Sequence, residues 1–372
     1  MCCVSASTEW RIRSVGLLPV DGFMREHFAL PREAGHALIV IGCFASLMGC
    51  SGSSGPTDVT RPPVDGVALS LGGIRTTNAI DPTCPQGSVC QAIDVTCEKV
   101  SETAAAFVAV SDPSGVPRGI VVFTTGSGGE NWALEGGERR AFLTQLLADG
   151  FRVVQLRWAS NWLISSPGND AGTARLACRP ATAFNWIYQV HFRPLGIARS
   201  SNGRCGFCIT GNSGGATQVS FSLSHYGLDE VLDAVVPTGG PPHAALAKAC
   251  LRKPGEEGFW YSEDTRAFLD RGFGFFDGSG PCVRNDAAFT DRWNTESIAT
   301  GGSDYFHPRT RVHFIRGAED PGQQAPSEFY AARLLAAGSP WVTVQIAPNT
   351  PHGVLGTAEG RGAVRAALLG SR

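Results

Sequence analysis

A serine in the middle of the chain has the surroundings of a catalytic nucleophile. Residues 207–215 read FCITGNSGG, an apolar run that ends in the pattern Gly-x-Ser-x-Gly, and residues 216–225 are compatible with a helix. The sharp turn between such a strand and helix strains the serine backbone, and glycine at positions 211 and 215 avoids a clash across it. A flexible surface loop is the alternative interpretation. The strand before the turn and the helix after it favour Ser213 as a nucleophile.

An acid is expected downstream of this serine. A buried strand is predicted over residues 311–316 (RVHFIR), and it runs into the sequence Gly-Ala-Glu-Asp-Pro. In serine sites of this kind the acid lies just past the glycine-led turn at the end of a strand. This position favours Asp320 as the acid, and its neighbour Glu319 is the alternative.

Histidine takes up and returns a proton near neutral pH, so one of the eight histidines is expected to act as the base. His352 follows a strand predicted over 341–347 and precedes a final helix predicted over 354–369. It also completes the chain order of serine, acid and histidine. His307 competes for this role, but it precedes Asp320 and would break the order. The remaining internal histidines are interpreted as satisfied or solvated side chains: His191, His225, His243 and His313.

Stabilising an oxyanion requires two backbone N–H donors. The first is expected from Gly214, the residue after the nucleophile. The second should come from a glycine-rich turn at the end of an earlier strand, and residues 119–129 (GIVVFTTGSGG) fit this description. The amide of Ser127 is favoured, with Gly128 as the second choice. A phosphate-binding loop is excluded because neither a Gly-Lys-Ser/Thr ending nor a spaced Gly-x-Gly-x-x-Gly is present.

Strands and helices alternate around these segments, which predicts a parallel sheet covered on both faces. Residues 104–110 and 119–124 are expected to form an early strand pair joined by a turn. The other elements predicted from the pattern are a helix over 138–149, a strand over 151–158, a helix over 181–190 and a strand over 232–237. In such open sheets ligands bind outside the carboxyl ends of the strands, where the serine, the acid and the histidine are all expected.

Residues from about 100 to 370 resemble an α/β-hydrolase domain. The resemblance rests on the glycine-rich turn, the Gly-x-Ser-x-Gly turn, the acid and the histidine described above, which follow the order of that family. It implies an eight-stranded, mostly parallel sheet flanked by helices, with Ser213 as nucleophile, His352 as general base and Asp320 orienting the histidine. The chain departs from the family at Thr125-Gly126, where many members carry His-Gly at the start of the oxyanion loop.

Between Thr238 and His307 the alternation of strands and helices lapses into a stretch rich in glycine, proline and aromatic residues. We interpret residues 241–308 as an insertion that caps the site. Its aromatic side chains either line a substrate pocket or form the insertion's own small core. Three residues near the strand ends are further candidates for the substrate pocket: Gly128, Trp158 and Trp162.

The N-terminal region has the features of an export signal. Residues 37–49 are apolar but too short for a comfortable membrane span, and arginines precede them. We predict a leader over 1–49, with the signal peptide at 24–49 and translation beginning at Met24.

The end of this leader predicts a lipid anchor. Residues 47–50 (LMGC) resemble a bacterial lipobox, in which cleavage precedes the cysteine and the Cys50 thiol is lipidated. Ordinary signal-peptidase cleavage near Gly49 is the alternative. Residues 50–66 are expected to form a flexible tether, followed by one domain over 67–372.

The cysteines support export. Eight of the 12 lie beyond the lipobox, and an even number in an oxidising compartment predicts up to four disulfides. At least one of Cys84, Cys90 and Cys97 must bond elsewhere or stay free, and Cys250 with Cys282 would close the insertion. Cys205 and Cys208 form a Cys-x-x-Cys pair, but a structural role is favoured over zinc or redox chemistry because no second such pair accompanies it. No metal and no cofactor are predicted.

Composition narrows the range of functions. The chain of 372 residues is long enough for one large α/β domain with a cap, and a formal net charge of −2 without a basic run gives no indication of nucleic-acid binding. The expected function is hydrolysis of carboxylic esters through an acyl-serine intermediate, by a secreted or lipid-anchored enzyme. A serine peptidase or acyltransferase is an alternative on the same fold, and a non-catalytic, surface-anchored binding module is an alternative of another class. The oligomeric state is left open.

Overall fold

One mixed sheet of nine strands organises the part of the chain that the computed structural model describes, residues 66–199 and 204–370. The predicted leader, Cys50 and nearly all of the predicted tether lie outside the described residues. The strands are β1 (Gly73–Thr77), β2 (Val89–Cys97), β3 (Val100–Ser111), β4 (Gly119–Thr124), β5 (Phe151–Trp158), β6 (Phe207–Asn212), β7 (Ala234–Thr238), β8 (Arg311–Gly317) and β9 (Val342–Ala347).

Nine α-helices flank or connect these strands within the described residues. They are α1 (Gly137–Ala148), α2 (Thr173–Leu176), α3 (Cys178–Ile187), α4 (Gly214–Ser224), α5 (Leu246–Leu251), α6 (Glu263–Arg271), α7 (Thr290–Glu296), α8 (Gln324–Ala336) and α9 (Ala358–Leu369). The helix predicted over 354–369 begins later than expected. Its N-cap is Thr357, whose hydroxyl accepts a hydrogen bond from the Gly360 amide at 3.1 Å.

The strand order is β1-β2-β3-β5-β4-β6-β7-β8-β9. The neighbours from β5 to β9 are parallel, whereas β1, β2 and β3 form an antiparallel edge that joins β5. This sheet with its flanking helices is the α/β-hydrolase fold. The expected number of eight strands is corrected to nine, because β1 pairs along β2 and extends the antiparallel edge.

The expected pairing of the strands at 104–110 and 119–124 is wrong. Both strands exist, as β3 and β4, but β5 lies between them. All six residues of β4 are buried, as is typical of a central parallel strand that has covered faces and two parallel neighbours. The connection between β3 and β4 therefore passes over the end of β5 and does not form a hairpin.

The two faces of the sheet bury separate cores. Along β4, Ile120 and Val122 point to one face and Val121 and Phe123 to the other, following the two-residue period of a strand. The first core packs against α3, α4 and α8, and the second packs against α1 and α9. Burial on both faces fixes the register of the central strands and hence the positions of the loops at their carboxyl ends.

The segment between β7 and β8 carries α5, α6 and α7 and has its own hydrophobic cluster. Tyr261, Phe273 and Trp293 belong to this cluster, and the ring of Phe289 lies edge-on to both Phe273 and Trp293. Many of its aromatic residues therefore form the insertion's own core.

Four disulfides are present among the described residues: Cys84–Cys90, Cys97–Cys178, Cys205–Cys208 and Cys250–Cys282. Cys97 is the member of the N-terminal trio that bonds elsewhere, and Cys250–Cys282 closes the insertion as predicted. In the described part of the chain, no helix combines the length and apolar character required to cross a membrane.

Candidate active site

Ser213 lies at the sharp turn between β6 and α4. Its backbone has φ 57° and ψ −117°, a region that side-chain-bearing residues rarely occupy. The Ser213 amide donates to the carbonyl of Thr238 at 2.9 Å, and the Ser213 carbonyl accepts the amide of Thr217 at 3.0 Å. A Cβ atom on Gly211 would lie 2.6 Å from the carbonyl carbon of Gly215. The glycines at both positions therefore have the steric role that the sequence pattern predicts.

The acid and the histidine meet at the carboxyl edge of the sheet. Asp320 follows β8 and is 9% exposed, and His352 lies on the loop after β9. The Nδ1 atom of His352 lies 2.7 Å from the Oδ2 atom of Asp320, which is hydrogen-bond distance. The neighbouring Glu319 has an exposed side chain, so the carboxylate that contacts the imidazole is that of Asp320.

The turn after β4 presses against the nucleophile turn. A Cβ atom on Gly126 would lie 3.1 Å from the Cβ atom of Ser213, and one on Gly214 would lie 2.8 Å from the Ser127 nitrogen. Ser127 itself has a positive φ of 50°. Among the described residues, neither the amide of Ser127 nor that of Gly214 donates a hydrogen bond. Two adjacent N–H groups, one at the N-terminus of α4, are thus available to stabilise a negative charge.

A cleft of about 650 Å³ contains Ser127, Ser213, Gly214 and His352. Its apolar side chains come from the loop after β5 and from the insertion, and they include Trp162, Leu163, Trp260, Tyr261 and Phe268. The exposed residues Asp264 and Arg271 also line it.

Two of the candidate pocket residues do not line the cleft. Trp158 is fully buried, and its Nε1 donates to Oε1 of Gln218 at 3.0 Å. Gly128 packs against the side chain of Asn161, where a Cβ atom would clash. Trp162 is the candidate of this group that lies on the cleft wall, because the chain turns toward the insertion after β5.

Burial keeps two of the side chains that the insertion contributes to the wall uncharged, His243 and Tyr261. Desolvation lowers the pKa of His243 to about 4, so this cleft-lining imidazole is neutral near pH 7. Burial also raises the pKa of the Tyr261 hydroxyl, which donates to the carbonyl of Pro242 at 2.9 Å. The part of the wall that these buried side chains form suits an uncharged group better than an ionic one.

Asn212 holds the histidine loop to the nucleophile turn, a role that was not predicted from the sequence. Its Oδ1 atom accepts from the amide of Val354 at 3.2 Å and from the hydroxyl of Thr238 at 3.1 Å. Val354 lies two residues after His352. A polar residue at the end of an otherwise apolar strand, directly before the serine, was the available sequence signal.

Gln218 has a similar supporting role one turn into α4. Its Oε1 atom accepts from the hydroxyl of Thr124 at 3.0 Å as well as from Trp158, and its Nε2 donates to the carbonyl of Thr125 at 3.3 Å. These bonds fix the end of β4, from which the turn carrying Ser127 begins. The position of Ser127, one of the two candidate oxyanion donors, thus depends on one buried glutamine.

No family model matches the sequence, and no curated protein matches it. Similar solved structures include a lipase in an open form, with 20% identity, a TM-score of 0.43, and coverage of 76% of this chain and 100% of the lipase chain. An esterase from Pyrobaculum calidifontis has 16% identity, a TM-score of 0.46, and coverage of 75% of this chain and 85% of its own.

An acylaminoacyl peptidase from Pyrococcus horikoshii has 11% identity and a TM-score of 0.42. The similarity covers 75% of this chain but 40% of the peptidase chain, so this chain spans less than half of that protein. Similarities at this level carry no argument about the reaction. The fold is defined by the strand order, and the chemistry depends on the side chains and amides of the site.

Proposed function

We propose that the protein is a serine hydrolase that cleaves carboxylic esters, with Ser213 as nucleophile, His352 as general base and Asp320 orienting the histidine. The observation that carries this proposal is the 2.7 Å contact between His352 and Asp320 at the cleft that contains the strained Ser213. A carboxylate on one ring nitrogen holds the imidazole in the tautomer whose other nitrogen accepts a proton.

The reaction would proceed in two halves. His352 accepts the proton of the Ser213 hydroxyl while the serine oxygen attacks the ester carbonyl carbon, and the amides of Ser127 and Gly214 donate to the resulting oxyanion. Collapse of this intermediate expels the alcohol, which takes the proton from His352. Water then attacks the acyl-serine with His352 again as base, which releases the acid and restores the serine.

The cleft favours an ester with an apolar or aromatic group. Trp260 and the half-buried Phe268 supply apolar surface to the cleft, behind which the almost fully buried Trp162, Leu163 and Tyr261 complete the lining. Burying such a group contributes about 25 cal/mol per Å² of apolar surface removed from water. We propose that residues 67–372 form one hydrolase domain in which the insertion at 241–308 covers the site and sets this preference.

We also propose that the enzyme is exported and anchored through a lipid on Cys50, or otherwise secreted. Four disulfides support an oxidising compartment. Expression in a bacterial host with Cys50→Ser as comparison tests the anchor. The lipidated protein should fractionate with membranes and the variant should not, and equal membrane association of both would contradict lipidation.

Turnover of a p-nitrophenyl ester series from acetate to palmitate tests the reaction. Wild-type protein should hydrolyse at least part of the series, and Ser213→Ala should lower kcat by about 10⁴-fold or more. An unchanged rate in the variant would exclude Ser213 as nucleophile. Absence of turnover in the disulfide-intact protein would instead favour a narrow peptidase, an acyltransferase or a non-catalytic binding module.

A further inference from the structure

A second group of titratable side chains lies away from the candidate active site. Asp229, Asp304 and His307 each offer one ligand atom, and these atoms all lie within 4.8 Å of one another. Asp229 belongs to a 3₁₀ turn (Leu228–Glu230) that follows α4, and the other two belong to the segment between α7 and β8. His307 is fully buried and each aspartate is 8% exposed. Asp304 and His307 are thus brought next to a carboxylate that is distant in sequence.

The imidazole of His307 lacks the partners that a buried ring requires. Both of its ring nitrogens are buried, and neither has a hydrogen-bond partner among the described residues. The Oδ2 atom of Asp229 lies 3.8 Å from Nδ1, which is beyond hydrogen-bond length. Buried polar groups are nearly always hydrogen-bonded, and a bound ion is one of the explanations for an exception. An ion between the ring and the carboxylates would supply the missing partner.

The charge of the cluster favours a cation. Buried carboxylates are normally paired or coordinate metals. Asp229 forms no ion pair with a lysine or arginine in the described part of the chain. The Oδ1 atom of Asp304 accepts from the amide of Phe306 at 2.9 Å, which fixes the orientation of that carboxylate. Two nearby carboxylates and a buried imidazole therefore form a preorganised set of donors.

We propose that Asp229, Asp304 and His307 bind a divalent transition-metal ion, with zinc preferred. One imidazole and two carboxylates suit zinc, and three protein ligands leave the fourth tetrahedral position to water. Neighbouring ligand atoms around tetrahedral zinc are about 3.4 Å apart, so the side chains would close by roughly 1 Å. Calcium is less suitable because it takes six to eight oxygen ligands.

The ion would stabilise the fold and take no part in the proposed ester hydrolysis. Asp229 precedes β7 and the other two ligands precede β8, so the cluster lies at the opposite edge of the sheet from Ser213. The Thr310 hydroxyl already donates to the Asp229 carbonyl at 3.1 Å, and the His307 amide donates to the hydroxyl of Ser339 at 2.8 Å. The ion would link the segment that leads from the insertion into β8 to the 3₁₀ turn that follows α4, the helix after Ser213. This inference does not depend on the proposed esterase activity.

No metal was predicted from the sequence because the ligands come from two separate segments without metal-ligand spacing. Zinc titration of the chelator-treated full chain, by calorimetry and thermal unfolding, tests the site. Reductant is left out so that the disulfide cysteines do not compete for zinc. We expect one equivalent of zinc per chain and a rise in Tm of about 4 °C at 100 times Kd.

The variant Asp304→Asn locates the site, because asparagine keeps the acceptor for the Phe306 amide and removes the charge. It should weaken zinc binding by at least about 10-fold. The matched control is Asp320→Asn, which alters another buried aspartate beside a histidine and should leave zinc binding unchanged. The proposal is overturned by binding far below one equivalent, by binding of calcium but not zinc, or by equal zinc affinity of wild type and Asp304→Asn.

Discussion

Ser213 has a backbone conformation that the surrounding structure must impose. A residue with a side chain in such a region carries strain of order 1–3 kcal/mol. The strain is held by hydrogen bonds on both sides of the residue, to Thr238 and from Thr217, and by glycines at positions 211 and 215. The result is a hydroxyl presented at the cleft rather than buried in the sheet.

Asn212 should position the base without taking part in the chemistry. Asn212→Ala removes the oxygen that accepts from Val354 and Thr238, so the loop carrying His352 loses an anchor. We expect kcat for a p-nitrophenyl ester to fall by about 10²-fold with little change in KM, because a displacement of about 1 Å has an effect of this size.

Asn212→Asp is the control for this prediction, since it retains the accepting oxygen. A pH profile of kcat first identifies the pH range in which the new carboxylate does not alter the rate. Within that range Asn212→Asp should keep most of the wild-type activity. A larger loss of kcat in Asn212→Asp than in Asn212→Ala would contradict the positioning role.

Two buried histidines should make the fold sensitive to acid. Burial lowers the pKa of His243 to about 4 and that of His225 to about 3, from an ordinary value of 6.5. Above pH 6.5 the two histidines are neutral in both the folded and the unfolded chain, so the free energy of unfolding is not reduced by their protonation. As the pH falls toward the folded-state values, the unfolded chain binds protons that the folded chain excludes. The free energy of unfolding should therefore fall by about 1.4 kcal/mol per pH unit per histidine.

Urea unfolding at about pH 7 and about pH 5 measures this loss, with His243→Phe as the comparison. Burial raises the pKa of the Asp270 and Glu296 carboxyls, which acts in the opposite direction but equally in both proteins. The variant should show a smaller difference between the two pH values than wild type. An identical pH dependence of both proteins would rule out the contribution of His243.

The principal side chains of the candidate site follow from the sequence because each lies at the end of a strongly patterned element. Ser213, Asp320 and His352 follow β6, β8 and β9, and the structure brings all three to one edge of the sheet. Asn212 and Gln218 could not be found in this way. Their roles are hydrogen bonds to residues from distant parts of the chain, and these contacts exist only after the strands have been ordered.

At the scale of elements, the buried central strands are the most predictable. The strand predicted over 151–158 is confirmed with the same ends as β5. The strands β1 and β2 were not predicted, because they lie at the sheet edge and have largely exposed or half-buried residues without clear alternation. The strand β2 pairs along β3, which is 12 residues long, and β1 in turn pairs along β2.

The disulfide Cys250–Cys282 should stabilise the insertion separately from the sheet. It links residues 32 apart within the cluster that contains Tyr261 and Trp293. Closing a loop of this length contributes about 3–4 kcal/mol in the chain-entropy account. The double variant Cys250→Ser/Cys282→Ser should therefore be cleaved first within residues 241–308 in limited proteolysis, located by mass spectrometry.

The matched control is Cys84→Ser/Cys90→Ser, which removes a disulfide that links residues 6 apart, near the antiparallel edge. It should leave the insertion as resistant to protease as in wild type. Equal cleavage of the insertion in both double variants would contradict a local role for Cys250–Cys282.

For the whole molecule, the sheet separates two kinds of site. The carboxyl edge carries the serine, the acid, the histidine and the two candidate amide donors, as expected for ligand sites in open α/β sheets. The opposite edge carries the proposed metal cluster, where an ion can stabilise the segment between α7 and β8 without taking part in the reaction. The fold class followed from the alternation of elements in the sequence, whereas the position of β5 between β3 and β4 depends on packing across the whole sheet.

Covalent labelling with a fluorophosphonate tests whether Ser213 is an activated nucleophile, because a serine reacts rapidly with this reagent only when a base is poised beside it. We expect one adduct per chain on the peptide that contains Ser213, no adduct in Ser213→Ala, and greatly slowed labelling in His352→Ala. Failure of the disulfide-intact protein to react, or equal labelling of Ser213→Ala, would contradict this role of Ser213.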